Sequence, residues 1–222
     1  MPTRDHPEFP LDPDVVPLNH ASFGLPTTAL MRRAEAIRRR IERDAARYLA
    51  GPMLADLREQ AAAVESFVRA RPGTLALVAN STEASSSVAA SLTRDRRMRV
   101  VLLDSEYRSV IRAWQVATAA TGGVVELVSI PLPVARADDI VAALDAATSG
   151  EFDTLVVSLI ASSTALRLPV GRIAEWAATR GAITVVDAAH GAGHVDLCVA
   201  DLGAAIVFGT LHKWLPVPRP VG

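Results

Sequence analysis

From residue 74 onward, short runs of Val, Ile and Leu alternate with longer stretches of helical periodicity, and this alternation constrains the fold most strongly. The apolar runs occupy residues 74–79, 99–103, 124–129, 154–161, 183–187 and 204–209. The predicted helices between them occupy residues 82–93, 107–121, 138–147 and 170–179. Near-continuous apolar runs separated by helices are typical of a parallel sheet that is buried on both faces. The sequence therefore predicts an α/β protein with three layers, α/β/α, around a mainly parallel central sheet.

The residues before this alternation have a different character. Residues 1–17 are rich in proline and predict an irregular segment, and the stretch "LNHASFGLP" at 18–26 predicts a short extended piece that ends in a turn. Apolar residues at helical spacing predict one helix over 27–48 and a second over 53–70. We therefore divide the chain into an N-terminal arm (1–25), N-terminal helices (26–70) and a large α/β domain (71–222).

Composition excludes several classes of function. The formal net charge of the 222 residues is −1, so no overall field draws the chain toward nucleic acid or a membrane. The single cysteine, Cys198, allows no disulfide within the chain, which favours a reducing compartment. The first residues carry acids and prolines rather than an apolar core, so we predict no signal peptide and a cytoplasmic protein. We predict no metal site.

Polar residues follow several of the apolar runs, at the edge of a parallel sheet where ligands bind. "NSTEA" opens a predicted helix, and Ser81 and Thr82 can present hydroxyls and backbone N–H groups to an anion. An ordinary helix N-cap explains the same residues. Tyr107 lies four residues beyond another run, where an aromatic ring can stack on a planar ligand or remain a half-buried structural tyrosine.

Two further strand ends carry an acid and a lysine. Asp187 follows "ITVV", with His190 three residues later, and the pair suits a cationic ring nitrogen and a neighbouring oxygen, or a turn cap and a structural histidine. Lys213 follows "AAIVF", and a lysine at that depth has a lowered pKa suited to Schiff-base chemistry, unless its side chain extends to solvent. In combination, an anion cradle, a stacking ring, an acid and a lysine are what pyridoxal 5′-phosphate (PLP) requires.

The sequence resembles the class V aminotransferase group of fold-type I PLP-dependent enzymes, and within it the isopenicillin N epimerase-like and cysteine desulfurase-like branch. The stretches that carry the resemblance are "LNHASFGLP" (18–26), "NSTEA" (80–84), "SSTALRLPV" (162–170), "VVDAAHGAGHVDL" (185–197) and "TLHKW" (210–214). The resemblance covers the chain after residue 17. It implies that residues 71–222 are the PLP-binding large domain of that fold, that the substrate is an amino acid or a molecule derived from one, and that the protein is a homodimer.

The resemblance also assigns roles to individual residues. Lys213 would form the Schiff base with the cofactor, Asp187 would pair with the pyridine nitrogen, and His190 would approach the ring hydroxyl; these three would be the catalytic residues. The remaining assignments are a stacking ring, Tyr107; a phosphate site, Ser81, Thr82, Thr210 and His212; and a substrate-facing pair, Asn19 and His20.

Two departures from the family pattern matter. An Asp-His pair is common just before the stretch that matches 162–170, but Ser158 and Leu159 stand there, so a side chain that assists near the ring is expected to be missing. The family's large domain also continues past the lysine, and a small C-terminal domain of roughly 150 residues, which supplies an arginine for the substrate carboxylate, normally follows. The resemblance thus implies a large domain that is incomplete here and lacks its small domain.

Three functions remain open at this point. The first is a PLP-dependent enzyme acting at the α-carbon, of epimerase, C–S lyase or aminotransferase type. The second is a truncated, catalytically incompetent remnant with a binding or dimerisation role. The third, an unrelated nucleotide-binding α/β protein, is disfavoured because neither a G-x-G-x-x-G turn nor a Walker lysine is present.

Overall fold

The computed structural model describes residues 8–222; residues 1–7 of the predicted N-terminal arm lie outside the described residues. Eight α-helices are described: α1 (His20–Phe23), α2 (Thr28–Glu42), α3 (Ala45–Ala50), α4 (Met53–Phe67), α5 (Ser81–Thr93), α6 (Arg108–Ala120), α7 (Ala137–Ala147) and α8 (Val170–Thr179). The strands are β1 (Arg99–Leu103), β2 (Val124–Val128), β3 (Thr154–Ser158), β4 (Ile183–Asp187) and β5 (Ile206–Phe208), and a 3₁₀ turn spans Val199–Asp201.

The five strands form one parallel sheet in the order β2-β1-β3-β4-β5. Since all strands run the same way, their carboxyl ends meet at one edge. The register places Ser158 of β3 beside Asp187 of β4, and Asp187 beside Phe208 of β5. The loop after β5, which carries Lys213, therefore starts next to the end of β4.

Helices cover both faces of the sheet, and the alternation of side chains along each strand determines which face each residue occupies. Val101, Leu103, Leu155, Val157 and Val186 pack on one face with apolar residues of α7 and α8. The opposite face, which includes Val100, Leu102, Val156 and Val185, packs against α5 and α6. This arrangement confirms the predicted three-layer α/β fold with a parallel sheet.

Three local predictions were wrong. Residues 74–79 belong to no strand, because their backbone pairs with another segment only at Val78, with Gly222. The stretch 18–26 contains the short helix α1, which the Asn19 side chain caps by accepting a hydrogen bond from Ser22 N. The helix predicted over 27–48 is interrupted at Asp44, whose carboxylate caps α3 by accepting from Arg47 N.

An apolar cavity of about 590 Å³ separates the extended residues 74–78 from β5. None of the helices in the described part of the chain is both long and apolar enough to cross a membrane.

Candidate active site

Lys213 lies in the loop after β5, and the N-terminal turn packs directly against that loop. Gly24 has a φ of +64°, and a Cβ at this position would lie 1.7 Å from the carbonyl oxygen of His212, so only glycine fits. Arg219 holds the turn from the other side by donating to the carbonyl oxygens of Phe23 and Gly24. The lysine loop is thus fixed against a segment nearly 200 positions earlier in the chain.

The Lys213 amine is half-buried between a histidine and a tyrosine. Its Nζ lies 3.3 Å from His190 Nε2 and 5.8 Å from the centroid of the Tyr107 ring. Burial lowers the pKa of Lys213, and the nearby carboxylate of Asp187 only partly opposes this effect. A lysine with a lowered pKa has a larger fraction of the neutral amine, which is the nucleophilic form.

Asp187 ends β4 and is 5% exposed. It accepts a hydrogen bond of 2.8 Å from Ala189 N, but no cationic side chain among the described residues lies within ion-pair distance of it. Burial raises the pKa of Asp187 to about 6, against the opposing effects of the Ala189 N–H and the charge of Lys213. The carboxyl is therefore mostly ionised at pH 7, buried, and without a counter-ion, so a cationic group placed here would be stabilised.

Ser81 and Thr82 begin α5, where the first backbone N–H groups of a helix have no carbonyl partner within it. The side chain of Asn80 caps this helix by accepting from Glu83 N at 3.0 Å. Thr82 contacts Ser109, with 3.2 Å between the two hydroxyl oxygens. Ser81 Oγ is buried and has no hydrogen-bond partner among the described residues. A buried hydroxyl without a partner is costly, and an anion at the helix N-terminus would satisfy it.

Thr210 and His212 lie in the lysine loop after β5 and contact each other. His212 Nδ1 lies 2.7 Å from Thr210 Oγ1 and 2.8 Å from the carbonyl oxygen of Val221, and Thr210 also donates to that carbonyl. Neither side chain has a hydrogen bond to Ser81 or Thr82. The structure therefore divides the four residues predicted to hold a phosphate into two pairs.

The remaining predicted residues surround the lysine loop at its exposed edge. Tyr107 is the N-cap residue of α6 and is 53% exposed, so one face of its ring is free for contact. Asn19 uses its side-chain oxygen to cap α1. The ring of His20 lies 5.7 Å from the ring of Trp214, which brings the start of α1 beside the lysine loop.

The structure adds one buried acid that the sequence interpretation had not singled out, Glu106. It is 4% exposed and accepts hydrogen bonds from the backbone N and the hydroxyl of Ser158. Burial raises the pKa of Glu106 to about 8, with the charge of Asp187 adding to the rise and the Ser158 bonds opposing it. A protonated Glu106 therefore lies against the residue that neighbours Asp187 in the sheet, where the sequence predicted that an assisting side chain was missing. The signal was its position among the polar residues after β1.

Ser158 and Leu159 stand where the family commonly has an Asp-His pair, and Leu159 is buried in the core. Cys198 Sγ lies 3.8 Å from the carbonyl oxygen of Arg69, and no hydrogen bond joins it to the residues around Lys213.

Comparison with known proteins identifies relatives of this arrangement. The family model described as aminotransferase class-V matches residues 43–222. Isopenicillin N epimerase of Amycolatopsis lactamdurans is 35% identical over 219 residues, covering 96% of this chain and 54% of the relative. A rice sequence (Oryza sativa subsp. japonica) that carries an L-cysteine desulfhydrase name is 31% identical, covering 93% of this chain and 46% of the relative. The chain thus spans about half the length of these relatives.

Solved structures share the fold. Cysteine desulfurase CsdA of Escherichia coli superposes with a TM-score of 0.76 at 21% identity, covering 97% of this chain and 55% of that one. A C-DES variant with glycine covalently linked to its PLP cofactor also gives a TM-score of 0.76, at 19% identity, covering 92% of this chain and 54% of that one. The alignment thus covers about half of each of these longer chains.

Proposed function

This chain belongs to the aminotransferase class-V family, and from that membership we propose that it is the cofactor-binding part of a PLP-dependent enzyme that acts at the α-carbon of an amino acid or an amino-acid-derived substrate. The single observation that carries the proposal is the half-buried amine of Lys213, whose pKa responds to the charge of Asp187, a buried acid without an ion pair among the described residues. The chain contains no other lysine, so any Schiff base to a lysine of these 222 residues forms at this position.

The unsatisfied groups of the structure fit PLP. Asp187 is a buried acid without a cation, which suits a protonated ring nitrogen. Ser81 Oγ is buried without a partner at the N-terminus of α5, which suits a phosphate oxygen. Tyr107 offers an exposed ring face within 5.8 Å of the Lys213 amine, which suits stacking. Thr210 would join this set by exchanging its hydrogen bond to the Val221 carbonyl, whereas His212 contacts Val221 through Nδ1 and could use Nε2.

PLP, when bound, supplies an electron sink for the negative charge that develops at the substrate α-carbon. The residues of this chain would supply the remainder of the chemistry. Lys213, with its lowered pKa, can accept the α-proton as a neutral amine and return it as an ammonium group. The buried carboxylate of Asp187 would stabilise a positive charge on the ring nitrogen, and the Tyr107 ring would orient a flat ligand. His190, half-buried with its pKa lowered to about 4, stays neutral at physiological pH.

Removal of the α-hydrogen is the step that epimerisation, C–S bond cleavage and transamination share. We propose this step and leave the reaction type open among the three. The relatives named above support the epimerase and C–S lyase types. A desulfurase-type reaction also needs a nucleophilic thiol, and Cys198, bonded toward the Arg69 carbonyl, is not in position to serve as one.

The test is exchange of the α-hydrogen of amino acids in D₂O, followed by NMR with the full-length protein and PLP. Exchange should be detected for at least one amino acid or amino-acid-derived substrate, and Lys213→Ala should abolish it. The chirality of the product, or release of sulfide, pyruvate or an amino group, then identifies the type. PLP binding without exchange across a broad panel would instead support the remnant that acts only through binding or dimerisation.

The proposal includes a cytoplasmic homodimer and the division into arm, N-terminal helices and large domain. Large apolar side chains before the sheet, Leu18 at 91% exposure and Phe23 at 65%, support a partner surface on this part of the molecule. Sedimentation of the full-length protein at several concentrations would test this, and a monomer at all concentrations would contradict it.

A further inference from the structure

Trp214 follows the lysine and is held between two histidines. Its indole ring stacks on His194, with centroids 3.9 Å apart and planes 15° from parallel. Its Nε1 donates a hydrogen bond of 3.2 Å to His190 Nδ1. Gly193 has a φ of +80°, and a Cβ there would lie 2.7 Å from Leu215 Cδ2, so glycine lets the two loops approach closely. The indole is therefore fixed in both position and direction.

The hydrogen bond from Trp214 determines which nitrogen of His190 carries a hydrogen. An indole N–H is only a donor, so His190 Nδ1 must be the acceptor and carry no hydrogen. A neutral imidazole has one N–H, which then lies on Nε2. Neutrality is supported by the lowered pKa of His190, for which burial is the largest cause.

The other end of the ring determines what Lys213 can be. His190 Nε2 lies 3.3 Å from Lys213 Nζ, and an N–H on Nε2 can only donate to a lone pair. An ammonium group has no lone pair, whereas a neutral amine has one. This tautomer of His190 therefore favours the neutral form of the lysine, and the opposite tautomer, with its lone pair on Nε2, favours the charged form.

We propose that Trp214 is a positioning residue: its indole N–H fixes His190 in the Nε2–H tautomer, and that tautomer holds Lys213 as a neutral amine. Its value for cofactor attachment rests on the proposed function, but the tautomer itself does not. Other groups facing the amine act in the opposite sense. Asp187 favours the ammonium form, and so does the ring face of Tyr107.

The first test is the ¹⁵N spectrum of the histidine rings in the full chain, comparing wild type, Trp214→Phe and the control Trp176→Phe. Phenylalanine keeps a ring for His194 and removes the N–H donor. Trp176 is the matched control because its indole N–H also donates to a side chain. It donates to an Asp145 carboxylate oxygen at 2.8 Å, on the exposed surface of α8. Wild type and the control should show His190 with hydrogen on Nε2. Trp214→Phe should shift the tautomer ratio roughly fivefold toward Nδ1–H.

The second test measures the lysine itself after removal of any bound PLP. Because Lys213 is the only lysine, its acetylation by acetic anhydride can be followed by peptide mass spectrometry across pH. The midpoint should move to higher pH in Trp214→Phe and stay unchanged in Trp176→Phe. A wild-type His190 with hydrogen on Nδ1, or an unchanged midpoint in Trp214→Phe, would overturn the proposal. Wild type alone decides the tautomer if the variant does not fold, and neither test requires PLP to bind.

Discussion

The two sides of the candidate site are assembled differently. On the lysine side, Asp187, His190 and Lys213 come from β4 and from the loops after β4 and β5, two strands that pair directly, so the register of the sheet positions them. On the helix side, Ser81 belongs to α5 and His212 to the lysine loop, and no strand pairing joins those elements. The backbone pairing of Val78 with Gly222 is the nearest link.

The side chains are pre-organised on the lysine side of the site but not on the helix side. The lysine side has direct side-chain contacts, Trp214 to His190 and His190 to Lys213, and the pKa values of His190 and Lys213 are lowered there by burial. The helix side has an unpartnered hydroxyl, Ser81 Oγ, and hydrogen bonds that satisfy Thr210 and His212 elsewhere. We therefore expect the lysine side to govern reactivity and the helix side to govern cofactor affinity.

The largest effect is expected on the lysine side, from Asp187→Asn. An amide cannot compensate a positive charge on the ring nitrogen, so α-hydrogen exchange by the full-length protein should fall by about 10³-fold while some PLP still binds. Asp201→Asn, an exposed acid on the 3₁₀ turn, is the control and should leave exchange unchanged. Exchange near the wild-type rate in Asp187→Asn would show that the partner of the ring nitrogen lies elsewhere.

The effect of replacing Glu106 on the free energy of unfolding should depend on whether the new side chain can form hydrogen bonds with Ser158. Glutamine keeps a carbonyl oxygen that accepts from Ser158 N and an N–H that can donate to the Ser158 hydroxyl oxygen, as the O–H of a protonated carboxyl can, so Glu106→Gln should change the free energy of unfolding by less than about 1 kcal/mol. Glu106→Ala leaves the buried backbone N–H and hydroxyl of Ser158 without their partner and should cost about 3 kcal/mol. Denaturant unfolding of both variants, with the exposed Glu175→Gln as control, measures the difference.

The shifted pKa of Glu106 also determines how its contribution to stability changes with pH. The pKa of Glu106 rises from 4.5 to about 8 on folding, so the native state holds its proton more tightly than the unfolded chain. Its contribution to stability is full below pH 4.5 and is lost as pH rises through about 8. Glu106→Gln should remove this part of the decline between pH 5 and 9. An equally steep decline in that variant would mean that Glu106 is ionised when buried.

The smallest effect is expected on the helix side, from Ser81→Ala, and it should have opposite signs in two measurements. Removing a buried, unpaired hydroxyl should leave the cofactor-free protein unchanged or more stable by about 1 kcal/mol. The same change should weaken PLP binding roughly tenfold, because a hydrogen bond to a charged oxygen is lost. Ser91→Ala, exposed on the same helix, should do neither. Unchanged PLP affinity in Ser81→Ala would place the phosphate elsewhere.

Much of the fold could be predicted from the sequence because burial on two faces leaves a clear apolar signal. The runs that became β1 and β4 were located with their bounds, and α8 with both ends. Residues 74–79 have the same composition but lack strand neighbours on both sides, and apolar content carries no information about hydrogen-bond partners. The break at Asp44 was missed because the side-chain cap competes locally with a continuous helical pattern.

Site residues whose properties depend on burial and on contacts with distant segments were harder to predict from the sequence. Lys213 and Asp187 could be singled out because each follows an apolar run. Glu106 also follows one, but its protonation depends on desolvation and on Ser158, which comes from another strand. Similarly, the pairing of Trp214 with His190 depends on the approach of two loops and has no signature in spacing.

Borohydride reduction tests whether Lys213 is the amine that binds PLP. The full-length protein is incubated with PLP, reduced, digested and mapped by mass spectrometry, with Lys213→Arg treated in parallel. We expect one pyridoxyl adduct, on the peptide containing Lys213, and none on the corresponding peptide of the variant. An adduct at another amine, or no adduct in the wild-type protein at saturating PLP, would contradict it.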